Sequence, residues 1–236
     1  MVRYLIKFTK ESSIKFIGHL DLMRTIQRMI RRSELPVKYS NGFNPHINMS
    51  IAQPLPVGVY SCGEYMDISF ENEVSEDEIK SRLNENSPAG IKVLGVRKIS
   101  DDPNKKVFKS MAEIRAARYI IKIKYNDISN INKDMKNILE MPEWRAIKKT
   151  KRGEKESDLK KFVKNIEYKV SGNTLVIDTT ISCGSIENLS CSLLAQFIQK
   201  NTRNVNFDAF VDIMRKELYG IYKGKMMPLL EIVELY

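Results

Sequence analysis

A segment rich in arginine near the N-terminus has the spacing of one helix face. Residues 19–33, HLDLMRTIQRMIRRS, place Leu22, Ile26 and Met29 on one side of a helix that turns about 100° per residue. The opposite side carries Arg24, Arg28 and Arg31, with Arg32 beside them. Guanidinium groups at this spacing repel one another, whereas a row of phosphates would give each a charge-assisted contact. The pattern is typical of a polyanion-binding face or of a solvated helix surface, and both interpretations stay open.

A second cationic segment lies in residues 145–164, which hold nine basic and three acidic side chains. Near its centre lies Gly153, a residue typical of a loop or hairpin tip. The cations around it are Lys148, Lys149, Lys151, Arg152 and Lys155. Basic loops beside a sheet commonly contact a nucleic-acid backbone, so the pattern favours polyanion contact over a disordered, solvated loop. The neighbouring Trp144 is expected in the core and would stack on a base only if it were exposed.

The segment 38–61 has the composition of a functional loop, because it is dense in Gly, Pro and Asn. Its candidate contact residues are Lys38, Tyr39, Asn41, Phe43, Asn44 and His46. The imidazole of His46 could act as a general base, donate to a phosphate or cap a turn. No acid or nucleophile is spaced to act with it. The sequence therefore assigns no catalytic residue and names His46 alone as a candidate.

The composition excludes several classes of protein. The 236 residues are 42% hydrophobic, which is enough for a core, yet no apolar run approaches the roughly 18 residues of a membrane span. The N-terminus, MVRYLIKFTKESS, lacks the apolar region of a secretion signal. Three cysteines form no C-x-x-C pair, and the glycine motifs that bind nucleotide phosphates do not occur. We therefore expect a reduced, soluble, cytoplasmic protein that binds no membrane, metal or cofactor.

Charge is sorted along the chain into blocks of one sign. The formal net charge is +10 and the isoelectric point is near 9.4, which suggests a polyanionic partner. Residues 1–63 hold nine basic and three acidic side chains, whereas residues 64–85 hold eight acidic and two basic ones. The acidic segment 64–85 is a candidate docking surface for a second protein.

Two halves of the chain show the same order of predicted elements. In the first half we predict strands at 3–9, 36–40, 64–70 and 91–99 and helices at 19–33 and 76–86, with a possible further strand at 47–52 inside the segment 41–63. In the second half we predict strands at 119–125, 144–149, 165–170 and 174–181 and helices at 128–140 and 189–199. This β-α-β-β-α-β order is that of the ferredoxin-like, or split βαβ, fold.

The predicted architecture is therefore α+β, with two tandem ferredoxin-like domains whose sheets are antiparallel. The first domain covers residues 1–100 and the second residues 117–236. Residues 101–116, which begin with the polar run DDPNKK, are predicted to link them.

Residues 16–67, which begin FIGHLDLMRTIQ and run through NGFNPHINMS, resemble the signature of the bacterial radical-SAM-linked proteins, a family of unknown function. KKTKRGEKESDL (148–159) and MRKELYG (214–220) are similar to weaker signatures of that family. Its members stand alone or are fused behind a radical-SAM, cobalamin-binding protein. The resemblance implies a partner enzyme of that kind. This chain lacks the C-x-x-x-C-x-x-C motif that would bind a radical-generating cluster.

Together these features predict an RNA-binding accessory protein without catalytic activity. It would present a structured RNA, such as tRNA or rRNA, to a radical-SAM partner docked through the acidic segment. One alternative is a metal-independent endoribonuclease of the CRISPR RNA-processing type, with His46 as the base and a Lys or Tyr as the acid. That alternative rests on analogy of fold, which does not determine function. The other alternative is a protein-only scaffold in which the arginines meet an acidic protein surface.

Overall fold

The computed structural model describes residues 1–100, 107–150 and 153–236, without the side chains of Lys149 and Thr150. Up to residue 124 the elements are β1 (Val2–Lys10), α1 (His19–Arg32), β2 (Met49–Ile51), β3 (Val59–Phe70), α2 (Glu76–Glu85), β4 (Val93–Ile99), α3 (Ser110–Glu113) and β5 (Ala116–Lys124). The remaining elements are α4 (Ile131–Glu140), β6 (Arg145–Thr150), β7 (Gly153–Asp158), β8 (Val163–Ser171), β9 (Thr174–Ser182), α5 (Cys191–Lys200), β10 (Asp212–Tyr222), β11 (Lys225–Pro228) and α6 (Leu229–Ile232). Most of the long helices and strands agree with the predicted ones to within a few residues. There are two exceptions: β3 begins five residues before the predicted strand, and β10 has no predicted counterpart. Within the described ranges, no helix has both the length and the apolar character that crossing a bilayer requires.

The chain divides into two compact units whose boundaries differ from the predicted domains. Unit 1 contains Met1–Arg115 together with Arg215–Tyr236, and unit 2 contains Ala116–Met214. The C-terminal residues predicted in the second domain therefore belong with the first. Of the predicted linker, residues 101–106 lie outside the described residues, and α3 occupies part of the remainder.

Polar contacts of β10 explain why the C-terminal segment belongs to unit 1. Arg215 forms an ion pair with Glu64 of β3. Two residues further along β10, the carboxylate of Glu217 pairs with the ammonium group of Lys7 and accepts a hydrogen bond of 2.7 Å from the hydroxyl of Tyr65. Charged groups buried in this way need their partners, so β10 cannot leave unit 1 without stranding them.

Unit 1 is a sheet that carries α1 and α2 on one face and α6 on the other. Its strand pairs β1–β3, β1–β4, β2–β3 and β10–β11 are antiparallel. Its strands follow the order β4-β1-β3-β10, and β2 and β11 pair with β3 and β10 respectively. Alternate residues of β1, namely Tyr4, Ile6 and Phe8, enter the same core as Leu22 and Ile26 of α1. This period of two in the strand and the 3.6-residue period of the helix place the apolar side chains of both elements in one buried layer.

Unit 2 is also a mixed α/β structure with antiparallel strand pairs. Its sheet contains β5-β9-β8, and the tight turn between β8 and β9 contains Gly172 at φ +54°. Strands β6 and β7 form a separate hairpin. Trp144 lies in the core, as predicted, where its ring stacks on Phe197 at 5.6 Å and its Nε1 donates to the carbonyl of Ile138. The indole therefore offers no surface for stacking on a base.

A buried ion pair joins strands β3 and β10 of unit 1. The guanidinium group of Arg215 and the carboxylate of Glu64 are each only 1% exposed. The Nε atom of Arg215 donates to Glu64 Oε1 at 2.8 Å, and its Nη2 donates both to Glu64 Oε2 and to the carbonyl of Gln53 at 2.7 Å. The pair is thus bidentate, and a third acceptor satisfies the guanidinium further.

The buried ammonium group of Lys10 extends this pair toward helix α1. Its Nζ donates to the carbonyls of Lys15 and Ile17, at 3.1 and 2.8 Å, in the loop that leads into the helix. Burial lowers the pKa of Lys10, the negative charge of Glu64 opposes that shift, and Arg215 adds to it. The three side chains form one cluster, which we call the Glu64–Arg215–Lys10 cluster. It ties the start of α1 to the sheet.

Removing one charge from the cluster is expected to destabilise the protein strongly. Glu64→Gln keeps the side-chain volume but leaves Arg215 buried without its counter-ion, which typically costs about 3–5 kcal/mol. Urea denaturation followed by circular dichroism measures this loss. The control is Asp21→Asn, which breaks the exposed Asp21–Arg24 pair and is expected to cost less than about 1 kcal/mol. A loss for Glu64→Gln no larger than that of the control would contradict the structural role of the pair.

Asp67 on β3 gives the stability a specific dependence on pH. Its Oδ2 accepts a hydrogen bond from the hydroxyl of Ser110, whereas Oδ1 has no hydrogen-bond partner among the described residues and lies 3.9 Å from Nη2 of Arg3. Burial raises the pKa of Asp67, and the contacts with Ser110 and Arg3 offset this only in part. The folded state therefore binds the proton more tightly than the unfolded state does.

A raised folded-state pKa contributes stability that is present below the ordinary carboxyl value of about 4 and is lost as the pH rises through the folded value. The Asn side chain of Asp67→Asn does not titrate, so the variant is expected to gain stability relative to the wild type as the pH rises. Urea denaturation of both proteins between about pH 3.5 and 7.5 measures the difference. A difference that stays constant or moves in the opposite direction would show that Asp67 is not buried in this way.

Candidate nucleic-acid interface

Helix α1 separates a buried apolar side from an exposed cationic one. It begins at His19, after Gly18 as N-cap, and ends at Arg32. Its buried residues are Leu22, Ile26, Met29 and Ile30, and its exposed cations are Arg24, Arg28, Arg31 and Arg32. The two predicted sides of the helix are confirmed. The core packing of the apolar side fixes the direction in which the arginines emerge.

Two of the four arginines already have partners. Arg24 forms an exposed pair with Asp21 at 3.2 Å, and Nη2 of Arg32 donates to the carbonyl of Asn86 at 2.8 Å. Arg28 and Arg31 have no hydrogen bond or ion pair with any described residue. They lie three residues apart on the helix, where like charges repel by a few tenths of a kcal/mol. These two guanidinium groups are therefore the ones available to an anion.

The acidic segment 64–85 does not neutralise the arginines of α1. Glu64 and Asp67 are buried inside unit 1. Further along the segment, the carboxylates pair with other cations, as Glu73–Lys98, Glu76–Arg97 and Glu78–Arg82. Most of the segment's charge is thus used within unit 1, which leaves little of it for the predicted docking surface.

The loop that follows α1 has an anchored base. The amide of Lys38 donates to the carbonyl of Ser69 on β3 at 2.9 Å, and the carbonyl of Lys38 accepts from Asn48 at 2.8 Å. Tyr39 then forms an isolated antiparallel bridge with Ile47, whose side chain is buried. These contacts hold both ends of the loop against the sheet edge.

The tip of the loop, residues 41–46, is exposed throughout. The amide of Ser40 donates to the carbonyl of His46 at 2.7 Å, and the amide of His46 donates to the hydroxyl of Ser40 at 3.0 Å. Gly42 turns the chain at φ +120°, a conformation that side-chain-bearing residues rarely adopt. None of the described residues gives the imidazole of His46 a hydrogen bond, so no acid–base pair is assembled around it.

Strands β6 and β7 of unit 2 carry the second cationic segment. Lys148 lies opposite Lys155 in the hairpin. The Nζ of Lys148 donates to the carbonyl of Asn188 and lies 4.8 Å from the centre of the Phe162 ring, so this ammonium group is already engaged. Lys155 is exposed. Of the other predicted contact residues, Lys151 and Arg152 lie outside the described residues, and the side chain of Lys149 is likewise not described.

The described residues contain no group of three or more His, Cys, Asp or Glu side chains arranged to hold a metal ion. Cys183 and Cys191 are buried, and Cys62 is half-buried.

Residues 3–191 match the model of a protein family described as "Uncharacterized protein conserved in bacteria (DUF2344)". The chain belongs to this family. The matched region includes α1, the loop 38–46 and the β6–β7 hairpin. The description of the family names no ligand, reaction or partner enzyme. The comparison with curated proteins gives no match.

Among solved structures, the chain is similar to one from the "Crystal Structure of a Cbf5-Nop10-Gar1 Complex", with 11% identity and a TM-score of 0.52. That alignment covers 98% of this chain and 54% of the other, so the chain spans about half the length of its neighbour. The "Crystal Structure of an Unknown Protein from Galdieria sulphuraria" aligns with 12% identity over 94% of this chain and 99% of the other, at a TM-score of 0.26. The first likeness is one of fold alone, and the second is too low to support an argument.

Proposed function

We propose that this protein is a non-catalytic RNA-binding accessory factor of the cytoplasm, which presents a structured RNA such as tRNA or rRNA to a radical-SAM, cobalamin-binding enzyme. The observation that carries the RNA-binding part is the pair Arg28 and Arg31. Both are exposed, neither has a hydrogen bond or ion pair with a described residue, and the other side of their helix is fixed in the core. The partner enzyme rests on the resemblance of residues 16–67 to radical-SAM-linked proteins.

Phosphate is the ligand that best offsets the electrostatic repulsion between Arg28 and Arg31 on α1. Arg28 and Arg31 are separated by about 4.5 Å along the helix axis, which suits neighbouring phosphates of one strand. Each guanidinium group can bind phosphate oxygens in a bidentate manner, and the mutual repulsion of the two cations then becomes attraction to one polyanion. The net charge of +10 adds a long-range electrostatic attraction for the same polyanion.

We also propose that each unit is a ferredoxin-like domain. In unit 1, this is supported by the antiparallel order β4-β1-β3 with β2 on the other side of β3. In unit 2, it is supported by the position of β9 between β5 and β8, with the β6–β7 hairpin inserted after α4. Such domains would hold α1 as a rigid platform beside the loop 38–46.

RNA binding is expected to depend on salt and on the two unpartnered arginines. With total tRNA as the probe, fluorescence anisotropy at about 50 and 200 mM KCl should show affinity falling steeply with salt. The double variant Arg28→Ala/Arg31→Ala should lower the slope of log K against log salt by about 1.5, because two phosphate contacts are lost. Arg28→Glu/Arg31→Glu should abolish binding at the higher salt concentration while its melting temperature stays close to that of the wild type.

A matched control reverses two other exposed cations of unit 1, as Lys80→Glu/Lys92→Glu. It makes the same change in net charge and is expected to lower affinity less than about threefold. Equal losses in the two charge-reversal variants would replace a defined site by general attraction. Tight binding that persists in Arg28→Glu/Arg31→Glu would show that the site is elsewhere.

Two further outcomes would replace the proposal by one of the alternatives. Cleavage of tRNA in the presence of EDTA, abolished by His46→Ala, would make the protein an endoribonuclease. Partner proteins that co-purify with the wild type and survive nuclease treatment, but are lost in Arg28→Glu/Arg31→Glu, would make it a scaffold for acidic proteins.

A further inference from the structure

Phe43 is an aromatic side chain held fully in solvent. Its relative exposure is 111%, the highest of the large apolar side chains in the described part of the chain. The ring has no stacking or cation contact with any described residue. Burial of an aromatic side chain normally stabilises a folded protein by about 1.5–3 kcal/mol. The exposed ring of Phe43 does not contribute this stabilisation.

The loop keeps the ring exposed because its base is closed. The Tyr39–Ile47 bridge and the two hydrogen bonds between Ser40 and His46 hold the two ends of the loop together, so the tip cannot fold back between them. Gly42 supplies the backbone conformation that turns the chain immediately before Phe43. The tip is therefore a supported projection with an apolar side chain at its end.

The surroundings of the ring are polar. Asn41, Asn44 and His46 are exposed on the same tip and carry hydrogen-bond donors and acceptors of the kind that read base edges. Seven residue steps separate Tyr39 from Arg32 at the end of α1, so their Cα atoms lie at most about 25 Å apart. A single short RNA element can therefore contact both the loop and the helix.

We infer that Phe43 stacks on an unpaired base, and that the ligand class is RNA with an unpaired loop or strand next to a helical stem. This inference rests on the proposed function and names its substrate class. In a continuous duplex the bases stack on each other, and the major groove of A-form RNA is too deep and narrow for side chains to enter. An unpaired base offers its face to an aromatic ring, whatever its sequence. A hydrophobic pocket on a protein is the competing occupant, but it would not favour the polar side chains of Asn41, Asn44 and His46 around Phe43.

Two RNA probes with the same stem distinguish these cases. One is a stem–loop with an unpaired loop, and the other is the stem closed as a blunt, fully paired duplex. The proteins compared are the wild type, Phe43→Ala, Phe43→Tyr, Arg28→Ala/Arg31→Ala, and Phe207→Ala as a control for loss of an exposed ring elsewhere. Because the ring of Phe43 packs on no described residue, Phe43→Ala is expected to keep the melting temperature of the wild type.

Phe43→Ala is expected to lower the affinity for the stem–loop about 5- to 150-fold, the range measured for loss of one stacked base. It should leave the weaker affinity for the duplex unchanged and should not alter the salt slope, since stacking neutralises no phosphate. Phe43→Tyr and Phe207→Ala should stay within about threefold of the wild type. Arg28→Ala/Arg31→Ala should instead weaken binding to both probes and lower the salt slope.

Wild-type affinity retained by Phe43→Ala, with binding still dependent on Arg28 and Arg31, would overturn the stacking inference and leave the proposed function intact. An equal loss on both probes would overturn the assignment of unpaired RNA. Absence of binding to either probe and to total tRNA would overturn the proposed function and this inference together.

Discussion

Three charged side chains buried inside unit 1 hold the start of helix α1 in place against the sheet, and so determine where the exposed side of that helix lies. The Glu64–Arg215–Lys10 cluster joins β3 to β10 through a bidentate ion pair and reaches the loop before α1 through the ammonium group of Lys10. Charges removed from water to this extent tolerate only a few geometries, because each lost partner leaves an unsolvated ion. The cluster therefore fixes the start of α1 relative to the sheet, while apolar packing of Leu22 and Ile26 fixes its rotation.

A helix positioned in this way can hold cationic side chains exposed to solvent. Arg24 pairs with Asp21, and Arg32 donates to a backbone carbonyl, whereas Arg28 and Arg31 contact no hydrogen-bond or ion-pair partner among the described residues. The loop 38–46 adds a different chemistry to the same unit, an exposed aromatic ring among amide and imidazole groups. Phosphate contacts supply affinity that depends on salt, and stacking supplies affinity that does not. The proposed RNA-binding function rests on this combination of the two contact types.

The sequence predicts the elements better than it predicts their partners. The period of 3.6 in residues 19–33 correctly separates the buried from the exposed side of α1. The S-x-x-E spacing of Ser75 and Glu78 predicts a helix start, and the Ser75 side chain does accept a hydrogen bond from the amide of Glu78 at the start of α2. The place of residues 215–236 in unit 1 could not be read from sequence, because it depends on contacts made over about 150 positions, such as Arg215 with Glu64. One signal was present nonetheless. Glu64 shares the strand parity of Met66 and Ile68, and an acid on an apolar face needs a buried cation. The backbone carbonyls that accept from Arg32 and Lys148 carried no such signal.

The most direct test of an RNA-binding surface on unit 1 is ultraviolet crosslinking in cells, followed by mass spectrometry of the peptides that carry nucleotides. Our account predicts crosslinked RNA whose attachment sites fall within residues 24–46, the arginines of α1 and the loop that follows. Crosslinks confined to other parts of the chain, or none above those of Arg28→Glu/Arg31→Glu, would contradict it.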